Sequence, residues 1–275
     1  MSKSVRTSLP PAGVRLLTAL GDEQLTTFST EDALRLSGRS AGATHALLSR
    51  LASGGWLERL ERGRYLVVPL EAGREARWTE EPFVLAAQLA SPSAISHWSA
   101  ASFWNLTEQL VTTVFVSTPR RKFRTRQTVA GLPVQFIHRP ERKFFGAVQQ
   151  RVGDRRISIM SIEKTLVDVL EQPQYGGGIV EASKAFKNAF DERRVDVEAF
   201  AQALRRIGNG AVAKRAGFLL ELFRLHPELQ AQIERGLTAG ETLFNPLAER
   251  QGSRSARWRL RVNIPTGDLL DWQDY

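Results

Sequence analysis

No cysteine occurs among the 275 residues, and histidine (4), tyrosine (3) and methionine (2) are sparse. The missing thiols exclude disulfides, thiolate zinc sites and a cysteine nucleophile. His45, His97, His138 and His226 are scattered without metal-ligand spacing, so neither a metal nor a cofactor is expected. No apolar run reaches the roughly twenty residues that a membrane helix needs. The opening stretch "MSKSVRTSLPPAG" lacks the apolar core of a secretory signal, which makes the bacterial cytoplasm the expected address. Acid is in the minority as well, with 29 Asp and Glu against 38 Lys and Arg, for a formal charge of +9. The surplus is rich in arginine. Its planar fork matches phosphate oxygens, so nucleic acid is the first partner to consider.

What is present begins with "PPAGVRLLTALG" (10–21), where proline opens a helix, Val14, Leu16, Leu17 and Leu20 recur at helical spacing, and Gly21 stops it. A second helix follows "FSTEDALRLSG", capped by Ser29 or Thr30 and closed by Gly38. A third starts at Ser40 with an apolar face of Ala43, Leu47, Leu48 and Leu51. Alternation in "GGWLERLERGRYLVV" then predicts a hairpin, Trp56–Leu60 and Tyr65–Val68, turning at Arg62-Gly63. Three short helices and a hairpin are the order of a winged helix-turn-helix. With the apolar stripe buried, Arg39, Ser40, Gly42, His45, Ser49 and Arg50 are left to face a DNA groove. Arg59, Arg62 and Arg64 would put charge on the wing. Phosphate contacts carry most of the affinity of such domains, whereas this helix has few long side chains to read bases.

The charged, turn-forming stretch 71–82 reads as a linker between a domain of residues 1–70 and a second of residues 83–275. The expected fold class is α+β. The winged helix-turn-helix is followed by a larger mixed domain with a small sheet and a helical C-terminal half. Strands are predicted at Thr112–Pro119, Leu132–Pro140 and Arg155–Ile162, and helices from Ser161 to Leu237. Two basic stretches stand out as possible phosphate or partner contacts. One holds Arg120, Arg121, Lys122, Arg124 and Arg126. The other holds Arg257, Arg259 and Arg261, alternating with Trp258, Leu260 and Val262 as on a half-buried strand. The helix Ala211–Phe223 would turn Lys214 and Arg215 outward as a basic face.

In order along the chain come "ISHWSAASFWNLTEQ", "VFVSTPRR", "GLPVQFIHRP", "FFG", "SIEKTLVDVLEQPQYGGGI" and "RWRLRVN". In this succession the chain resembles the AbiEi-type antitoxins of bacterial abortive-infection toxin–antitoxin operons, from about residue 12 to about residue 265. It departs from them at Val111, where a proline is common. The resemblance implies a phage-defence protein of two domains. Its winged helix would bind double-stranded DNA at inverted repeats in its own promoter and repress the operon. The C-terminal domain would antagonise a nucleotidyltransferase-like toxin without forming a stable complex. A monomer in solution, or a dimer on DNA, is expected.

Gly176 to Gly178 pose the enzymatic alternative, because glycines before a helix can cradle phosphate. A Walker loop needs Lys and Ser or Thr after its last glycine, and Ile179 and Val180 stand there instead. The acidic pair in "VDVE" reads better as a helix cap at Asp196. A tight reversal between helices is the favoured role of the glycines, and no catalytic residue is assigned. Two alternatives stay open. One is a nucleotide- or toxin-modifying enzyme working through Glu163, Asp168 or the glycine turn, and the other a winged-helix DNA-binding protein with no toxin.

Overall fold

Proline at its first turn and apolar residues at helical spacing make α1 (Pro11–Asp22), which buries Leu16 and Leu20. The computed structural model describes residues 7–68, 81–122, 124–129, 131–153, 155–265 and 267–270. Most of the expected linker, residues 71–80, lies outside them. After α1 come β1 (Thr27–Ser29), α2 (Thr30–Ser37), α3 (Ala41–Ser53), β2 (Leu57–Glu61) and β3 (Arg64–Val67). Ser29 caps α2 in a reciprocal box with Asp32, and Ser40 caps α3 through Ala43 N. The hairpin turns at Arg62-Gly63 with Glu61 opposite Arg64, and Gly63 takes the positive φ (+75°) that a side chain resists. The short strand β1 has no counterpart in the expected elements. It pairs antiparallel with β3, giving the order β1-β3-β2. Phe28 stands opposite Tyr65, their rings stacked at 5.7 Å, in a core with Leu16, Leu20, Leu47, Leu48, Leu51 and Leu57.

The chain divides into two compact units, Met1–Ser91 with Arg126–Val134, and Pro92–Thr125 with Gln135–Tyr275. The first therefore runs past residue 82, through α4 (Pro82–Gln88). After α4 the chain forms β4 (Ala94–Ile95), α5 (His97–Phe103), β5 (Val114–Thr118), β6 (Arg126–Val129), β7 (Leu132–His138), β8 (Ala147–Val152) and β9 (Arg155–Met160). These strands make a mixed sheet in the order β6-β7-β5-β4-β9-β8, with β4 parallel to β9 and antiparallel to β5.

Helices α6 (Ile162–Glu171), α7 (Ile179–Asp191), α8 (Val197–Ile207), α9 (Gly210–Leu222) and α10 (Pro227–Arg235) follow; α6, α8 and α9 begin at a capping side chain, α10 at a proline and α7 at Gly178. Asp196 Oδ1 accepts from Ala199 N at 2.9 Å, as the capping role requires. Phe186, Phe190 and Phe200 meet at centroid distances of 4.7–5.7 Å in the core that these helices enclose. A second small sheet, β10 (Thr242–Leu243), β11 (Ser253–Ser255) and β12 (Leu260–Val262), runs in the order β10-β12-β11, and α11 (Gly267–Leu270) ends the described chain. The molecule is thus α+β, with eleven α-helices and three sheets among the described residues. No helix among them is long and apolar enough to cross a membrane.

Two expectations fail. The outer face of α9 is not basic, because Lys214 and Arg215 are only 1% and 4% exposed. Lys214 Nζ donates to Gly240 O, and the Arg215 guanidinium serves the carbonyls of Leu170, Leu243 and Phe244. Unsatisfied carbonyls at a helix end and in a loop draw these long cations inward. The strand near the C-terminus is also shorter than its alternation predicts. Residues 256–259 form a turn, and Arg259 sits at φ +51°.

Candidate functional site

Helices α2 and α3 are joined at Gly38, whose φ of +58° suits a helix stop. Ser37 Oγ and Thr44 Oγ1 lie 3.0 Å apart, and Thr44 is fully buried, so the second helix is fixed against the first. The stripe Thr44, Leu47, Leu48 and Leu51 faces inward. Arg39, Ser40, Gly42, His45, Ser49 and Arg50 are all exposed. A Cβ at Gly42 would meet no described atom within 4 Å, so the helix surface is open at that position. The hairpin turn is anchored to the start of α2, where Thr30 N and Oγ1 both donate to Gly63 O, at 2.8 and 3.3 Å. Arg59 and Arg62 are exposed and Arg64 is half-buried.

Charge pairing separates these arginines from Arg35. Glu23 grips Arg35 with both oxygens, each at 2.6 Å. By contrast, Arg39, Arg50, Arg59, Arg62 and Arg64 have no carboxylate partner among the described residues. Forming a phosphate contact would therefore break no ion pair among the described residues at any of the five.

The basic stretches of the second unit part company. Arg257 pairs with Glu221 (2.7 Å) and Glu234 (2.9 Å) and lies over the Trp258 ring. Arg259 donates to the carbonyls of Leu237 and Thr238. Arg261 pairs with Glu241, which also holds Arg250 and Arg254. Much of this charge is thus met within the chain. Around Arg120, Arg121 and Lys122 the chain instead forms an open-mouthed cavity of ≈ 230 Å³. Arg124 and Arg126 are exposed beside it in the sequence.

A buried cluster forms around the Lys164–Asp168 pair, which helical spacing predicts, and its other members are not foreshadowed by the sequence. Arg139, at the end of β7, sends one Nη to Gln172 Oε1 (2.6 Å) and the other to Asp168 Oδ1 (2.9 Å) and Glu171 Oε2. Lys164 also pairs with Asp168, while Lys143 (2.5 Å) and Asn209 (3.1 Å) hold Glu171. Burial works against the Glu171 carboxylate, but Lys143, Arg139 and Asn209 outweigh it and take its pKa down to about 2. His97 closes the chain of contacts. Gln172 Oε1 only accepts, so His97 Nε2 carries the ring proton towards it (3.2 Å), leaving Nδ1 to accept from Ser96 Oγ (3.0 Å). Burial pushes the ring's pKa down to about 4, against the pull of Asp168, which keeps it neutral at neutral pH.

Asp168 and Glu163 do not form one site. Glu163 Oε1 instead accepts from Asp196 N at 3.1 Å. The glycine turn is spent internally: Gly176 N and Gly178 N both donate to Pro173 O at 2.9 Å. Gly177 has φ +76°, and a Cβ there would meet Trp98 at 3.1 Å.

No protein-family model and no curated protein matches the chain. Among solved structures, it is similar to the crystal structure of the RV2827C protein from Mycobacterium tuberculosis, at TM-score 0.64 and 16% identity, over 99% of this chain and 98% of that one. At that identity the likeness speaks for the fold alone.

Proposed function

We propose that the chain is a DNA-binding autorepressor and antitoxin of a bacterial toxin–antitoxin operon, acting in the cytoplasm. The observation that carries the DNA-binding half is the set of arginines without carboxylate partners along α3 and the β2–β3 hairpin. The order α1, α2, α3 and the β1-β3-β2 sheet support a winged helix-turn-helix, with α3 entering the major groove and Arg62 at the tip of the wing. Few base-reading side chains line α3, so affinity rests on phosphates and repeat symmetry. The antitoxin half rests on the resemblance to AbiEi-type proteins, which assigns the C-terminal domain to a nucleotidyltransferase-like toxin.

Two measurements test the two halves. DNA from upstream of the gene should bind in preference to scrambled DNA, and lose affinity steeply with salt. A chain with Arg62 and Arg64 replaced by alanine, expressed from an independent promoter, should still protect cells from the neighbouring toxin. Protection lost together with operator binding would show that the two jobs are not divided between the domains.

A further inference from the structure

The loop after β5 is tied down at both ends. Arg139 N donates to Thr118 O (2.9 Å) on one side, and Phe136 N to Thr125 O (2.7 Å) on the other. Thr118 Oγ1 accepts from Arg120 N (3.2 Å) and donates to Pro92 O (2.8 Å), fixing the first turn. Between these anchors lies the cavity of ≈ 230 Å³, lined by Arg120, Arg121, Lys122, Thr125, Phe136 and His138 with Thr118. Lys122 Nζ sits 5.1 Å from the centroid of the buried Phe136 ring, an arrangement that positions the ammonium. No acid lines the cavity, and neither Arg120 nor Arg121 has a carboxylate partner among the described residues.

We propose that this cavity is a binding site for a phosphate monoester, the terminal phosphate of a nucleotide or inorganic phosphate itself. Three cations lining one concave site suit a dianion better than a singly charged diester. A monoester carries about −1.5 to −2 charges and three acceptor oxygens, and arginine forks bind such oxygens in pairs. Size agrees. Drug-sized ligands fill about 300–1,000 Å³, and this cavity is smaller, matching a phosphoryl group with part of its sugar. The site goes beyond the DNA contacts of the first unit and does not rest on them.

The test is calorimetric titration of the full chain at constant ionic strength. The probes are inorganic phosphate, uridine 5′-monophosphate and a duplex of unrelated sequence. Phosphate or the nucleotide should bind saturably, and the tighter of the two identifies the source. Arg120→Gln with Arg121→Gln should weaken that binding about tenfold or more, the equivalent of one lost charge-assisted hydrogen bond. Both side chains are exposed, so the double variant keeps its fold, which thermal melting verifies. Arg193→Gln with Arg235→Gln, at exposed positions elsewhere, removes the same charge and should change nothing. The proposal falls if neither small probe saturates, or if the control weakens binding equally. It also falls if only the duplex depends on Arg120 and Arg121, which would mark a backbone diester contact. Operator binding in the same variants reports on the first unit separately.

Discussion

Replacing Arg62 and Arg64 by alanine should cut the salt sensitivity of operator binding, on a logarithmic scale, by about two-fifths. Five arginines around α3 and the hairpin have no carboxylate partner among the described residues, and three of them, Arg59, Arg62 and Arg64, belong to the hairpin. Each phosphate neutralised contributes about −0.9 to the slope of log K against log salt, so five contacts per protomer give about −4.5. Between about 50 and 200 mM salt that is a loss of about 500-fold, falling to about 40-fold with three contacts. The lost contacts are each worth about 1.5–3 kcal/mol where well formed, so affinity at low salt should drop at least tenfold.

The fold should not register the change. Neither side chain has a carboxylate partner to strand, and surface replacements of this kind stay within about 0.5 kcal/mol. Fluorescence anisotropy at four salt concentrations, beside a thermal melt, measures both quantities. Arg35→Ala is the informative control, because that guanidinium is already held by Glu23. Its slope should equal that of the unmodified protein. If the double variant keeps its slope, or Arg35→Ala lowers it as much, the hairpin does not hold phosphates.

Three further outcomes follow from the second unit and the glycines. Arg139→Met leaves Asp168 and Glu171 buried without their guanidinium, and chemical denaturation should show a loss of about 3–5 kcal/mol. His97 has its pKa lowered from 6.5 to about 4 by burial, so the unfolded chain binds more protons across that window. Stability should therefore fall by on the order of 3 kcal/mol as pH drops from 6.5 to about 4, and His97→Asn should flatten that segment of the curve. Below pH 4.5 Glu171 adds a further loss, which the variant should retain. Gly177→Ala should cost more than about 1 kcal/mol, whereas Gly42→Ala, in an open helical position, should gain up to about 1 kcal/mol. Equal shifts for the two would refute the strain assigned to Gly177.

The parts of the fold that could be read in advance depend on local signals. Ser29, Ser40 and Asp196 cap helices because a short polar side chain reaches its own backbone three residues on, which needs no knowledge of the rest of the chain. The exposed residues of α3 were legible for the same reason, since one apolar stripe leaves only one opposite face. What stayed hidden is held by partners distant in sequence. Strand β1 is too short for a periodicity and exists only through its pairing with β3. Arg139 lies one residue beyond the described end of β7, and nothing near it shows that a carboxylate 29 residues on will receive it. Lys214 and Arg215 mislead more directly. A cation beside an apolar stripe usually faces water, but here the carbonyls of residues 170, 240, 243 and 244 are closer partners than solvent.

The same contrast bears on which arginines are available to a ligand. Arg257, Arg261 and Arg139 look in sequence like Arg62, Arg64 and Arg120, yet each of the first three already has a carboxylate. A phosphate competing for them must displace that partner, whereas at Arg62, Arg64 and Arg120 no carboxylate among the described residues has to be displaced. The basic surplus of the composition is therefore a poor map of binding, and pairing in the folded chain is a better one. Among the described residues it leaves Arg39, Arg50, Arg59, Arg62 and Arg64 grouped around α3 and the hairpin of the first unit, and Arg120 and Arg121 at the cavity beside β5 in the second.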